Sequence, residues 1–224
     1  MDAGTTRVKQ SPVKQSPGEK RPYDATRRHQ QAALTRVAVI DSATQRFLRD
    51  GYVTTTIAAI AADVGVSDHT IYKTFGGKPG LIRAIRERAL EGAGPAPAEQ
   101  RSNDLHDSDY DGRSIIEAWG ALTAEVMPRV APVLLLVRDA AVTDPEVRDL
   151  LAELDADRLG RMRVNARRLR ANGHLRAGLS VAAATDVLWT FSAPELYELL
   201  VLRRGWPVNR YATFVADAMI GALL

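Results

Sequence analysis

From His29 to the C-terminus, apolar residues recur at three- and four-residue spacing, and no stretch alternates every second residue with β-branched side chains. Strands do not carry that pattern, so the chain is expected to be all-α. Ala33, Val37, Ile40, Ala43, Phe47 and Leu48 mark one face of a first helix, with Gly51 as its left-handed stop. Beyond residue 112 the same spacing predicts helices near 113–127, 129–142, 145–171, 180–203 and 208–223, about nine helices in all. With 224 residues, 46% of them hydrophobic, the chain can bury a substantial core.

Composition removes several functions. There is no cysteine, so disulfides, thiolate metal sites and thiol nucleophiles are excluded. The longest apolar run, Val130–Val137, contains Pro132 and falls far short of the roughly 20 residues that span a bilayer. Asp2 and the lack of an apolar leader predict no secretory signal. The expectation is a soluble protein of a reducing cytoplasm, with no cofactor, no metal and no membrane partner.

Charge is divided along the chain. Residues 1–91 carry 15 basic and 9 acidic side chains, whereas residues 92–224 carry 15 and 18. A basic N-terminal region joined to an acidic body suggests one part facing a polyanion and another with a separate task. Residues 1–28 hold the tandem pentapeptide Val8–Pro12 and Val13–Pro17, three prolines and a net charge of +4. So few large apolar residues cannot offset ordering entropy, and a disordered basic tail is expected. It either lies along DNA phosphates or serves only as a solubilising leader. The domain reading is then a tail at 1–28, a helix-turn-helix domain at 29–91, a linker at 92–112 rich in Gly, Pro and Asp, and a helical body at 113–224.

The most informative stretch is Thr56–Lys78. Thr56 is placed to cap a short helix, Gly65 to break it, Ser67 to cap a second, and Gly76-Gly77 to end that one. Two short helices packed through Ile60, Ala61, Val66 and Ile71 have the spacing of a helix-turn-helix. Its second helix fits the major groove of DNA. The outward face of that helix carries Asp68, His69, Thr70, Tyr72, Lys73 and Thr74. Thr56 at a helix N-terminus, the Tyr72 hydroxyl and the Lys78 charge suit phosphates. His69, Thr70 and Lys73 suit base edges. Asp68 either accepts from a cytosine amine, orients His69, or is only an acid favoured in a first helical turn.

These residues carry a resemblance. Phe47-Leu-Arg-Asp-Gly-Tyr52, Thr55-Thr-Ile-Ala-Ala-Ile-Ala61, Val64-Gly-Val-Ser67, Thr70-Ile-Tyr72, Phe75 and Lys78 resemble the N-terminal signature of TetR-type transcriptional regulators, over about residues 30–90. A looser likeness runs through Gly173–Arg176, Gly178–Ser180, Leu188-Trp189, Pro194–Tyr197 and Arg204–Trp206. It implies about nine helices, a homodimer and an effector pocket in the body. It also implies phosphate contacts from Thr56, Tyr72 and Lys78, with bases read around Asp68, His69, Thr70 and Lys73. Ala58 stands where members often carry a long polar residue. Gly77-Lys78-Pro79 replaces the usual Ser-Lys pair, and Pro207 replaces a Ser before the last helix.

The body has no catalytic constellation: its histidines are scattered, with no His-x3-His pair and no Gly-x-Ser-x-Gly elbow. The helix at 145–171 is acidic in its first half and arginine-rich in its second, which is either complementarity to the helix dipole or a second nucleic-acid patch. Trp119, Met127, Met162, Trp189, Phe191 and Tyr197 are the candidates for an effector pocket suited to a small apolar or amphipathic compound, or they are ordinary core. Pro194 predicts a kink. Leu196, Leu199, Leu200 and Leu202, with Phe214, Val215, Met219 and Leu223, give the last two helices broad apolar faces, buried in a dimer or within the chain. The leading expectation is therefore a homodimeric, ligand-responsive regulator, a repressor on an inverted-repeat operator. The alternative is a helical small-molecule sensor or carrier with a degenerate DNA-binding motif.

Overall fold

A computed structural model describes Met1 and residues 22–224 except Ala93, Pro95 and Ser108, with side chains described from Arg27 onward. The described residues contain ten α-helices, one π-helical turn and no strand. The chain divides after Arg36 into two compact units, 1–36 and 37–224. The expected tail lies, through residue 21, outside the described residues; helix α1 (Pro22–Asp50) begins at Pro22 rather than near His29 and accounts for the described helix of the first unit.

In the second unit, α1 continues to Asp50 and buries Val39, Ile40, Ala43 and Phe47. Val37 and Leu48, expected inward, are 42% and 48% exposed, because Val39 takes the inward position instead. Helices α2 (Ile57–Val64), α3 (Asp68–Phe75) and α4 (Lys78–Glu91) follow, and Ile60, Ile71, Leu81 and Ile82 meet Phe47 in one apolar cluster. Asp63 clamps α2 to α1 by accepting from Arg46 Nη2 at 2.6 Å and Ser42 Oγ at 2.8 Å. These donors hold its carboxyl down at about 2.

Three sequence expectations are corrected in the body. Residues 92–112 are not only linker: α5 (Ala98–His106) lies within them, packing Ala98, Ser102 and His106 inward against α6. The segment's Gly, Pro and Asp content hid that four-residue spacing. The two helices expected at 113–127 and 129–142 are one, α6 (Gly112–Ala140), which runs through Pro128 and Pro132. Val126, Met127, Val130, Ala131 and Val133 are buried around the two prolines, and that burial outweighs two missing N–H donors. Although α6 is long and apolar enough to cross a membrane, it packs against α4, α5, α7 (Pro145–Ala171), α9 (Pro194–Tyr197) and α10 (Val208–Leu223) as the central helix. Gly120 faces Ala212 and Ala216 of α10, where an added Cβ would stand 3.0 Å from the Ala216 Cβ.

The third correction concerns 180–203. Pro194 breaks that helix rather than kinking it, since it opens α9 after α8 (Val181–Phe191) has closed at Ser192. A π-helical turn, Glu198–Arg203, completes the segment.

Candidate nucleic-acid interface and body cavity

The helix-turn-helix forms by local capping. Thr56 Oγ1 accepts from the Ala59 N–H at 3.1 Å, and Ser67 Oγ accepts from the Thr70 N–H at 3.2 Å. Between them Gly65 sits at φ 73°, a left-handed conformation that costs a side-chain-bearing residue, and the Val66 N–H closes on the Ala61 carbonyl at 3.0 Å. Ile71 is fully buried, and this anchors α3 by one side only.

The other side of α3 is outward. Asp68, His69, Thr70, Tyr72, Lys73 and Thr74 are all exposed, as is Thr56. The side chains of Asp68, His69, Tyr72 and Lys73 make no hydrogen bond or ion pair among the described residues and present free polar ends. Two threonines are partly committed: Thr70 Oγ1 lies 2.9 Å from Ser67 Oγ, and the Thr74 hydroxyl donates to the Thr70 carbonyl at 2.7 Å.

Lys78 departs from its expected role as a free charge. Its ammonium donates to the Tyr52 carbonyl at 2.9 Å and stands 4.4 Å from the centre of the Tyr52 ring. Partial burial lowers its pKa. It pins the corner between α1 and α2, a use the sequence position alone did not reveal.

The body holds a cavity of about 930 Å³ between α4, α5, α6, α7, α8 and α10. Four of the six predicted residues line it: Trp119, Met127, Met162 and Phe191. The other two do not. Trp189 sits on the outer side of α8, 36% exposed, under the Arg158 guanidinium at 4.6 Å. Tyr197 is buried edge-on against Tyr211 at 5.4 Å, in the core rather than the cavity wall. Aromatic and methionine side chains suit a cavity wall, but residue type alone does not place them on one.

Sequence reading missed Ser102, Asn165, Leu188 and Met219, which also line the cavity. Ser102 lay in the presumed linker. Asn165, 4% exposed, lay in the arginine-rich half of the helix at 145–171. Several of those arginines are tied down within the chain: Arg158 donates to the Trp189 carbonyl at 2.7 Å and Arg161 to Glu99 at 3.0 Å. Arg163, Arg167 and Arg170 remain exposed.

The family described as "Bacterial regulatory proteins, tetR family" matches residues 39–85. No curated protein matches the chain significantly. Among solved structures, the transcriptional regulator FadR from Bacillus subtilis in complex with stearoyl-CoA is 18% identical, with TM-score 0.65 over 84% of this chain and 99% of that one. GusR of Salmonella enterica is 17% identical, with TM-score 0.60 over 84% and 95%. The SmeT–triclosan complex is 22% identical, with TM-score 0.65 over 85% and 92%. At these identities the likeness is one of fold.

Proposed function

We propose that this chain, which belongs through residues 39–85 to the tetR family of bacterial regulatory proteins, is a ligand-responsive transcriptional regulator that acts in the cytoplasm as a homodimeric repressor. The observation that carries the reading is the outward face of α3, where Asp68, His69, Tyr72 and Lys73 stand exposed and unpartnered above a helix fixed by one buried isoleucine. Two such helices fit successive major grooves of an inverted repeat. Lys73 donates to a guanine edge, His69 and Thr70 read adjacent bases, and Tyr72 and the N-terminus of α2 at Thr56 hold phosphates. Lys78 contributes by holding Tyr52 rather than by its own charge.

In a mobility-shift assay with the gene's upstream DNA, Lys73→Ala is expected to relax selectivity at one base position. Tyr72→Phe should weaken binding to every sequence alike. If basic side chains of each subunit neutralise about four phosphates, the log–log salt slope is on the order of −7. Equal effects of the two substitutions on all sequences would contradict these roles, and no binding at low salt would remove the reading altogether.

The dimer is assigned to the last helices. Leu200, Val215, Met219 and Leu223 are consumed by the chain's own core, whereas Leu199, Leu202 and Phe214 remain 51%, 53% and 40% exposed. A second copy covers them. Leu202→Asp combined with Phe214→Asp should yield a monomer in analytical ultracentrifugation and abolish operator binding, while leaving helicity intact. A variant that still sediments as a dimer would move the interface elsewhere.

The effector enters the body cavity, whose Trp119, Phe191, Met127 and Met162 suit an apolar or amphipathic compound. FadR with stearoyl-CoA and SmeT with triclosan support that use of the fold. A ligand with different affinity for two dimer geometries shifts their populations and separates the α3 helices from operator spacing.

A further inference from the structure

Three contacts join α5 to α7 in step. Arg161 Nη1 donates to Glu99 Oε1 at 3.0 Å, Arg168 Nη1 to the Asn103 carbonyl at 3.3 Å, and Asn172 Nδ2 to the His106 carbonyl at 3.2 Å. Along α7 Asn165 lies between the first two of these contacts, as Ser102 does along α5. Asn165 and Ser102 are 4% and 7% exposed, and both line the cavity. The Ser102 hydroxyl accepts from Trp119 Nε1 at 3.0 Å and retains its own hydrogen to give. Asn165 Oδ1 finds no donor among the described residues. A buried amide oxygen without a donor is unfavourable unless something else supplies one.

The four arginines that line the cavity are each paired with a carboxylate. Arg83 pairs with Glu153 at 2.7 Å, Arg86 with Asp157 at 3.2 Å, Arg158 with Asp155 at 3.2 Å, and Arg161 with Glu99. An anionic head group would have to break one of these pairs. A neutral polar group meets Asn165 and Ser102 with none broken.

We propose that the cavity takes a neutral ligand with an apolar body and a hydroxyl group, the hydroxyl donating to Asn165 and accepting from Ser102. Because a hydroxyl both donates and accepts, it satisfies the Asn165 amide in either orientation. This rests on the reading of the cavity as an effector site.

The test uses 2-naphthol and 2-methylnaphthalene, which share a shape and differ in the hydroxyl, titrated calorimetrically into the full chain. In Asn165→Leu the affinity of 2-naphthol relative to 2-methylnaphthalene should fall about tenfold, with 2-methylnaphthalene itself bound as before. Ser102→Ala removes a single oxygen and is the second variant, expected to lower the same ratio a few-fold. A ratio unchanged in both variants overturns the hydroxyl subsite and leaves the effector reading standing. Failure of both probes to bind the unsubstituted chain, with its DNA binding intact, overturns the effector reading as well.

Discussion

Gly80→Ala is expected to destabilise the protein by about 3 kcal/mol or more and to abolish operator binding. Gly80 lies in the first turn of α4, and a Cβ built on it would overlap the carbonyl oxygen of Phe75, the last residue of α3. Both sides of this clash are backbone, so no rotamer change relieves it. The corner between them is already committed: Gly76 and Gly77 occupy positive φ, and Leu81 and Ile82 beneath are fully buried. To admit one methyl group, α3 must swing away from α4, which draws Ile71 out of the core and re-aims the face that meets DNA. Gly160→Ala is the control. An added Cβ there meets nothing within 4 Å, and the better helix former should stabilise α7 by roughly 0.5–1 kcal/mol. Urea midpoints and a mobility-shift assay on both variants decide it. A Gly80→Ala protein that melts and binds like the parent would mean the α3–α4 corner is more open than the close packing described.

The elements most legible in the sequence were those set by local chemistry. Thr56, Gly65, Ser67 and Gly76 cap and break their helices within a few residues of themselves, so the helix-turn-helix could be read almost to its ends. Long-range packing was less legible. Helix α6 continues through two prolines because the residues flanking them, Val126, Met127, Val130, Ala131 and Val133, are buried, and α5 forms in a segment of loop-like composition because Ser102 and His106 fit against Trp119. Lys78 has the sequence position of a phosphate ligand, yet Tyr52, 26 residues away, claims it. Gly80 stands apart only in three dimensions, since nothing in a one-dimensional pattern shows a second backbone pressed against it. In the cavity, side-chain type singled out Trp119, Met127, Met162 and Phe191, and these four line it. It also singled out Tyr197 and Trp189, because core, cavity wall and exposed faces all take aromatic side chains. Asn165 went unread because a buried polar side chain runs against the pattern that periodicity detects.

Acid should weaken the fold between pH 6.5 and 4 through a single buried histidine. His106 is 6% exposed, edge-on to Trp119 at 5.4 Å, and neither ring nitrogen has a hydrogen-bond partner among the described residues. Burial, reinforced by the Arg168 and Arg161 cations, holds its pKa down at about 4 from an ordinary 6.5. The folded state therefore favours the neutral ring, whereas the unfolded chain takes up a proton as soon as pH falls through 6.5. Stability from this group is fully present above that value and is lost as pH descends toward 4, by on the order of 3 kcal/mol at the lower limit. Asp63 acts in a separate, more acidic window: its carboxyl is held down at about 2, so its clamp on α1 survives until the pH drops below the ordinary carboxylate range. His106→Leu removes the titrating ring while keeping an apolar neighbour for Trp119. Urea midpoints at pH 7, 6, 5 and 4 should converge with those of the parent as pH falls, the variant losing little where the parent loses most. Parallel curves for the two proteins would show that the imidazole takes up its proton equally well folded and unfolded, and the acid response would then have to come from the carboxylates.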